Sequence, residues 1–187
     1  YFLRRRAKIL PDFPSKTTQE QYLELGEQQR KSYDEAESRG RSALSSPGIG
    51  RMHVFALINE LKQICNLDPK SGESCKLDYL LDALPEIVQN GYKAVVFSQY
   101  PNKTLAQICS RLASFKAEIF DGSLSDQQRE DVLSRFQQQD EPRVLLVSLG
   151  AGNAAISLTR ANYGFHFDHV WQPAVHAQAD GRLCRPG

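Results

Sequence analysis

Hydrophobic positions follow one spacing up to residue 74 and another from residue 75 onward. Residues 51–66 carry an apolar residue every three or four positions, which predicts a helix with one buried stripe. Residues 27–44 are mostly polar and predict a surface helix, and residues 17–25 (TTQEQYLEL) are predicted to form a short polar strand. Turn-forming residues predict a flexible break at 45–50 and a loop at 68–74.

From residue 75, short apolar runs alternate with amphipathic stretches. Ser125 and Gln128 have the spacing of a capping box, and Asn90-Gly91 predicts a helix C-terminus. Apolar runs between helices of ~12 residues indicate an α/β fold, a parallel sheet with helices on both faces, preceded by a helical N-terminal appendage over residues 1–74. The predicted strands are 93–98, 117–120, 143–148 and 163–168, and the predicted helices are 75–90, 104–115, 126–137, 152–158 and one from Pro173.

Composition excludes few functions. The 187 residues are 41% hydrophobic and 24% charged with a net charge of +1, which is typical of a soluble globular domain and not of a wholly basic nucleic-acid coat. Residues 1–16 hold five cations against one acid, which indicates a local basic surface or a solvated terminus. No apolar run approaches the ~20 residues of a membrane helix, and no signal peptide is recognised. We therefore predict an intracellular protein without a membrane partner, cytoplasmic in a prokaryote and nuclear in a eukaryote.

The cysteines and histidines do not form a metal motif. The four cysteines are scattered without CxxC spacing, which favours reduced thiols. The stretch His166-x-Asp168-His169 lies on a predicted strand, where successive side chains point to opposite faces. No metal site is predicted.

Small and hydrogen-bonding residues follow three of the predicted strands, at residues 98–100 (SQY), 121–123 (DGS) and 148–152 (SLGAG). Ligands of parallel α/β sheets bind at the carboxyl ends of the strands, and small residues there allow the backbone to approach an anion. The same residue types suit any tight strand-to-helix turn, so each segment alone leaves a structural role open.

Two arginines near the end of the chain are candidate phosphate ligands. Arg182 and Arg185 lie three residues apart on a predicted helix and therefore project from one face. Guanidinium groups are planar, always charged and able to bind phosphate through two hydrogen bonds. The alternative is a pair of cations that only complements the negative end of the helix dipole.

The order of these segments identifies a family. The first group of segments, in chain order, is 1–5 (YFLRR), 14–17 (PSKT), 25–33 (LGEQQRKSY), 61–66 (LKQICN) and 76–84 (KLDYLLDAL). The second group, which follows it, is 93–100 (KAVVFSQY), 120–125 (FDGSLS) with Arg129 and Phe136, 148–159 (SLGAGNAAISLT) and 178–187 (QADGRLCRPG). In this order they resemble the C-terminal RecA-like lobe of the Swi/Snf-type DNA-dependent ATPases, a branch of helicase superfamily two. The segments at 93–100, 148–159 and 178–187 resemble helicase motifs four, five and six.

The resemblance implies nucleotide-facing residues in motifs five and six. Arg185 is the first choice for an arginine finger, which stabilises charge on a transferring phosphoryl group, and Arg182 is the second. Gln178, Gly150 and Gly152 are implied to face the nucleotide.

The resemblance also implies a rim that contacts DNA phosphates and does not read bases. The implied rim residues are Ser98, Gln99, Ser123, Arg129 and Ser148.

The resemblance further implies what this chain needs from elsewhere. No GxxxxGK[ST] phosphate loop occurs in the sequence, so ATP and Mg²⁺ are expected to be held mainly by a first lobe of the same protein. The expected partners are that lobe, double-stranded DNA and a DNA-bound protein complex. The expected function is that of the C-terminal half of an ATP-dependent DNA translocase or remodelling motor, inactive without the first lobe.

Four positions depart from the family's motifs. Asn153 and Ala155 replace two glycines of motif five, and Gly181 and Cys184 replace an aspartate and a histidine of motif six. These departures leave open a degenerate, non-catalytic scaffold that binds DNA or protein. A third interpretation, independent of the departures, is an unrelated nucleotide-binding α/β domain.

Overall fold

The computed structural model describes residues 16–44, 51–100, 103–150 and 156–184. Within these ranges, six α-helices and four β-strands follow one another. In chain order they are α1 (Glu27–Leu44), α2 (Arg51–Asn66), α3 (Cys75–Gln89), β1 (Ala94–Ser98), α4 (Lys103–Arg111), β2 (Glu118–Phe120), α5 (Asp126–Gln138), β3 (Val144–Ser148), β4 (Tyr163–His166) and α6 (Pro173–Leu183).

The four strands form one parallel sheet in the order β2-β3-β1-β4. Strands β1 and β3 lie side by side along their whole length, with Ala94 paired to Val144 and Ser98 paired to Ser148. Every residue of these two strands is buried, as expected for central strands covered on both faces. The predicted parallel sheet is confirmed.

Alternate side chains of the central strands enter two separate hydrophobic cores. On one face, Val96 and Leu146 pack in a core with residues of α3 and α4. On the other face, Phe97 and Val147 pack in a core with residues of α5 and α6. The separation follows from the two-residue period of a strand, and it means that helices cover both faces, as predicted.

Helices α1 and α2 pack against each other as an N-terminal appendage, and α2 also contacts α3. The two helices approach closely at Gly40, where a Cβ atom would lie 2.4 Å from Cδ1 of Leu57. Near their opposite ends, the buried side chain of Gln29 donates to the carbonyl of Ile64 (2.6 Å) and accepts from the N–H of Cys75 (3.2 Å). Gln29 is buried in a polar helix because both ends of its amide have partners.

A distant carboxylate caps the start of α1. Oε2 of Glu73 accepts hydrogen bonds from the backbone N–H groups of Gln28 and Gln29, each at 3.1 Å. These are two of the N–H groups that have no partner within the helix, and the negative charge also suits the positive end of the helix dipole. Gly26 allows this approach, because a Cβ atom there would lie 2.8 Å from Oε2 of Glu73.

Two predicted helix boundaries have the expected capping geometry. Ser125 accepts from the N–H of Gln128, whose side chain in turn accepts from the N–H of Ser125, so the capping box is confirmed. Helix α3 is followed by Asn90 as C-cap and by Gly91 at φ +77°, and the N–H of Tyr92 donates to the carbonyl of Ile87 (3.0 Å). This Schellman motif needs the left-handed conformation that glycine adopts without a steric cost.

Other predicted elements differ from the structure. The strand predicted at residues 17–25 is wrong: the segment has no regular secondary structure and is almost entirely exposed, because it has no apolar face with which to join the sheet. The helix predicted to reach residue 115 ends at Arg111 and is followed by a 3-10 turn, which Lys116 terminates at φ 52°. Of the helix predicted at 152–158, residues 156–158 are not helical and the rest lies outside the described residues, as does the predicted break at 45–50.

Lys93, just before β1, is a buried cation that closes the end of α5. Its Nζ donates to the carbonyls of Phe136 (2.7 Å) and Gln139 (2.6 Å), which α5 leaves without helical partners, and it lies 4.9 Å from the centroid of the Phe136 ring. Burial lowers the pKa of Lys93 to about 8, and the nearby cations Arg143 and Arg160 contribute in the same direction.

We expect Lys93→Met to destabilise the fold at pH 7 by about 1–3 kcal/mol, because two carbonyls of α5 lose their donor. The advantage of the wild type should grow as the pH rises above about 8, because the unfolded state then still binds a proton at Lys93 that the folded state has lost. Urea unfolding at several pH values measures both effects. Lys31→Met on the exposed side of α1 is the control, and an equal loss in both variants would contradict the role of Lys93.

Candidate functional site

The carboxyl ends of three strands form one continuous edge. Ser98 at the end of β1 is paired with Ser148 at the end of β3. On the other side of β3, Phe120 of β2 is paired with Val147, so Asp121 begins beside Ser148. The strand order β2-β3-β1 therefore brings together the three segments that the sequence analysis selected, at the edge where ligands of such sheets bind.

Asp168 ties this edge to the turn after β4. Its carboxylate accepts hydrogen bonds from the hydroxyl of Ser98 (2.6 Å), the backbone N–H of Gln99 (3.1 Å) and the side-chain amide of Asn66 (3.3 Å). Asp168, Ser98 and Asn66 are all buried, so water does not compete for these bonds. The carboxylate thereby fixes where the chain leaves β1.

Lys76 extends this network to the helical appendage. Its Nζ, in the first turn of α3, donates to Oδ1 of Asn66 (2.7 Å) and to the carbonyl of Phe167 (2.8 Å). Burial lowers the pKa of Lys76, and the carboxylate of Asp168 acts in the opposite direction. The last residue of α2 is in this way bonded to the residues that follow β4.

One face of α2 lies along the same edge. The hydroxyl of Tyr100 donates to Oδ1 of Asn59 (2.8 Å), and Lys62 donates to the carbonyl of His169. The side chain of Gln99 donates to the same carbonyl (3.3 Å). The residues after β1 and those after β4 therefore both contact α2, at different residues, and they also contact each other.

The turn after β2 holds the DGS segment and Arg129. The hydroxyl and the N–H of Ser123 both donate to Oδ1 of Asp121, at 2.5 and 2.9 Å, which closes the turn. A guanidinium nitrogen of Arg129 lies 3.4 Å from the carbonyl of Gly122, and another lies 3.7 Å from a carboxylate oxygen of Asp126. These contacts are long, and the Arg129 side chain is 29% exposed, so the guanidinium has donor capacity for an external anion.

Helix α6 carries residues of motif six. Gln178 is exposed, and Arg182, one turn later, is buried. The carbonyl of Arg182 accepts from the N–H of Leu158 (2.9 Å), and the carbonyl of Ser157 accepts from the side chain of Gln137 on α5 (2.6 Å). The end of motif five is therefore bonded to motif six through the backbone.

Other predicted nucleotide-facing residues are only partly described. Gly150 is exposed, and among the described residues a Cβ atom there would meet nothing closer than Oγ of Ser148 at 3.8 Å. Arg185 and Gly152 lie outside the described residues, so their predicted roles stay predictions.

The predicted DNA rim divides into two groups. Ser98 and Ser148 are buried, and the hydroxyl of Ser98 is used by Asp168. Gln99 and Arg129 are partly exposed and Ser123 is exposed. The strand order brings all five to one edge, but their contact with DNA stays a prediction.

The sequence did not indicate this role of Asp168, which was considered only as a metal ligand. The available signal was an acid at the end of a predicted strand, at the same edge as the three segments named above. Among the described residues, no three or more histidine, cysteine, aspartate or glutamate side chains are grouped so that they could hold a metal ion. None of the helices in the described ranges is long and apolar enough to cross a membrane.

Residues 75–187 match the family described as the helicase conserved C-terminal domain. The chain belongs to this family of helicase C-terminal domains. An "Uncharacterized ATP-dependent helicase" of Mycoplasma pneumoniae is 32% identical over 199 residues, which cover 100% of this chain and 19% of that protein. The "DNA repair protein RAD5A" of Arabidopsis thaliana is 41% identical over 140 residues, which cover 74% of this chain and 14% of that protein. The chain spans about a fifth of the length of the Mycoplasma pneumoniae helicase and of two other bacterial relatives that match all of it.

Solved structures with the same fold come from the Swi2/Snf2 branch of helicases. The Sulfolobus solfataricus SWI2/SNF2 ATPase core domain is 26% identical with a TM-score of 0.78, and the match covers 96% of this chain and 40% of that chain. The same ATPase core in complex with dsDNA is 27% identical with a TM-score of 0.71, over 88% of this chain and 36% of that chain. The RecA-like α/β fold and the resemblance to Swi/Snf-type ATPases are confirmed.

We expect Asp168→Asn to destabilise the fold by about 1–3 kcal/mol, because an amide nitrogen would face a donor in place of an acceptor. With the amide oxygen in the Oδ2 position, the new NH2 group faces the N–H of Gln99, and with the oxygen in the Oδ1 position it faces the side-chain amide of Asn66. Either rotamer therefore sets two donors against each other. Urea unfolding at neutral pH measures the loss. Asp82→Asn on the exposed face of α3 is the matched control, and a loss at Asp168 no larger than at Asp82 would contradict the organising role.

Proposed function

We propose that this chain is the C-terminal half of an ATP-dependent double-stranded DNA translocase or remodelling motor. It supplies an arginine finger and a DNA-contacting rim, and it is inactive without a first lobe of the same protein. The observation that carries the proposal is the backbone hydrogen bond from Leu158, at the end of motif five, to Arg182 in motif six. This bond joins the two motifs that the resemblance assigns to the nucleotide.

The nucleotide side of the proposal depends on α6 and the loop after β3. The exposure of Gln178 and the open surroundings of Gly150 fit a ligand that approaches from a neighbouring lobe. ATP with Mg²⁺, held mainly by that lobe, supplies the transferable phosphoryl group. The contribution of this chain is a guanidinium, from Arg185 as first choice and Arg182 as second, that offsets the charge developing on that group.

The DNA side of the proposal depends on the edge of three strand ends. Gln99, Ser123 and Arg129 offer donors at the surface for phosphate oxygens, while Ser98 and Ser148, the other residues of the proposed rim, are buried at the ends of β1 and β3. Closing and opening of the two lobes during the ATP cycle would move this edge along the duplex. A DNA-bound protein complex is the proposed object of the movement, inside the cell, in cytoplasm or nucleus according to the source.

The motif departures favour a second candidate, a degenerate scaffold that binds DNA or protein without catalysis. Gly181 is exposed, and a Cβ atom there would meet none of the described residues within 4 Å, so their packing does not exclude the aspartate of the family's motif. The packing of these residues therefore does not account for the loss of that acid. ATP hydrolysis by this chain joined to its first lobe, with and without duplex DNA, separates the candidates: DNA-stimulated turnover supports the motor, and duplex binding without turnover supports the scaffold.

We expect Arg185→Ala, in the protein that contains both lobes, to lower DNA-stimulated ATP turnover by roughly 10³-fold or more, as for other arginine fingers. Steady-state hydrolysis at saturating ATP and DNA measures the loss. Arg111→Ala, at the exposed end of α4, is the control and should leave turnover unchanged. Full turnover in Arg185→Ala would exclude Arg185 as the arginine finger, and Arg182 would then be the remaining candidate.

We expect Arg129→Ala to weaken duplex binding about equally for all sequences and to reduce the salt dependence by roughly one phosphate contact. Fluorescence anisotropy with two unrelated duplexes at several salt concentrations measures both. Lys116→Ala, an exposed cation before β2, is the control. A loss confined to one duplex sequence would show that Arg129 reads bases and would contradict the rim proposal.

A further inference from the structure

A chain of polar contacts joins the turn after β4, strand β4, helix α6 and Lys16. The N–H of Val170 donates to Nε2 of His176 (3.1 Å), and Nδ1 of His176 lies 3.0 Å from Nδ1 of His166. Nε2 of His166 lies 2.8 Å from Oδ1 of Asp180, whose other oxygen accepts from Lys16 (2.5 Å). All three ring and carboxylate side chains are partly buried.

The position of each proton in this series of hydrogen bonds follows from the groups at its two ends, the N–H of Val170 and the carboxylate of Asp180. A backbone N–H can only donate, so Nε2 of His176 is unprotonated and its ring carries the proton on Nδ1. That proton points at Nδ1 of His166, which therefore accepts, so the proton of His166 lies on Nε2 and is donated to Asp180. Both rings are neutral, and they are opposite tautomers.

One more proton cannot enter this pair without breaking a hydrogen bond. On Nε2 of His176 it would face the N–H of Val170, and on Nδ1 of His166 it would face the Nδ1–H of His176. Each placement sets two donors against each other. The arrangement is therefore specific to the neutral pair.

The network anchors one side of α6. His176 and Asp180 are four residues apart on the helix and lie on the same face, which is bonded to His166 of β4. Gln178 follows two residues after His176, so it lies on roughly the opposite face of the helix and is exposed. Arg182 follows two residues after Asp180. Because His176 and Asp180 are bonded to β4, the rotation of α6 about its axis is fixed, and this determines the direction in which Gln178 and Arg182 project.

We propose that His166, His176 and Asp180 are positioning residues for motif six, which hold α6 so that Gln178 and Arg182 face the nucleotide, and that they do so only while both rings are neutral. This inference rests on the function proposed above for Gln178 and Arg182. None of the three positioning residues is proposed to touch the nucleotide.

The surroundings of His176 favour its neutral form. Burial lowers the pKa of His176, His166 and His169 lower it further, and the carboxylates of Asp180 and Asp168 act in the opposite direction. Because the pKa in the fold lies below the unfolded value, this group makes the fold more stable as the pH rises towards about 6.5, and that stability is lost as the pH falls through the folded pKa.

Asp180 stays an acceptor throughout this range. Burial by itself raises the pKa of Asp180, but hydrogen bonds from Lys16 and His166 outweigh burial and lower it. The acid-sensitive group of the network is therefore His176, and Lys16 supplies the charge that faces the carboxylate from the N-terminal segment.

The tautomers can be measured on the 187-residue chain itself. In ¹⁵N–¹H spectra of the histidine rings at about pH 7.5, we expect His176 as the Nδ1–H tautomer and His166 as the Nε2–H tautomer. As the pH is lowered, the backbone signals of Gln178 and Arg182 should shift together with the ring signals of His176. His176 as the Nε2–H tautomer, or signals of Gln178 and Arg182 that ignore its titration, would overturn the proposal.

A variant without the ring of His176 gives the second measurement. In His176→Gln, one amide can accept from Val170 and donate to His166, so the hydrogen bonds of the network survive without the ring of His176. In the protein with both lobes, the acid limb of the pH profile of DNA-stimulated turnover should move to lower pH, with turnover at neutral pH retained. His176→Leu should lose roughly tenfold in turnover at every pH. His53→Gln, an exposed histidine on α2, should leave the acid limb in place.

The two proposals fail in different ways. A two-lobed protein that hydrolyses no ATP at any pH would refute the proposal of a motor. The ring tautomers and the coupled shifts of Gln178 and Arg182 would still test the proposal of a positioning network. A working motor whose acid limb is identical in His176→Gln and wild type would overturn the network and leave the motor standing.

Discussion

A buried carboxylate holds the functional edge of this domain together. Asp168 accepts from Asn66 at the end of α2 and from Ser98 and Gln99 at the end of β1. Leaving such donors unpaired in the interior would cost more than a typical hydrogen bond contributes, so the helical appendage, the central strand and the turn after β4 are fixed relative to one another. The segments expected to face DNA emerge from this fixed point.

Elements with a strong local signal could be predicted from the sequence. The consecutive apolar residues of β1 and β3 indicate strands buried on both faces, and the capping box at Ser125 depends on residues three apart. Contacts between distant segments could not be predicted. Lys93 bonds a carbonyl 43 residues away, and its sequence surroundings show only a lysine beside an apolar run. The strand prediction for residues 17–25 was wrong for a related reason, because a strand forms only where a neighbouring strand hydrogen-bonds with it.

The motif order indicated where the candidate site lies, but not how each residue is used. Ser98, Ser148 and Ser123 all lie at or just after the end of a strand and look equivalent in the sequence. The first two end central strands and are buried, whereas Ser123 follows the edge strand β2 and is exposed. Exposure therefore depends on strand order, which a linear motif does not contain. The pairing of His166 with His176 likewise depends on how α6 folds back against β4.

The carboxylate cap on α1 also has a consequence for the order of events on the ribosome. Glu73 lies 45 and 44 residues after Gln28 and Gln29, the residues whose N–H groups it accepts. A helix whose first turn lacks its cap frays, and nucleating that turn is the costly step. The first turn of α1 therefore lacks its cap until the loop after α2 has been synthesised. We expect α1 and α2 to complete their folding together, as a helical hairpin.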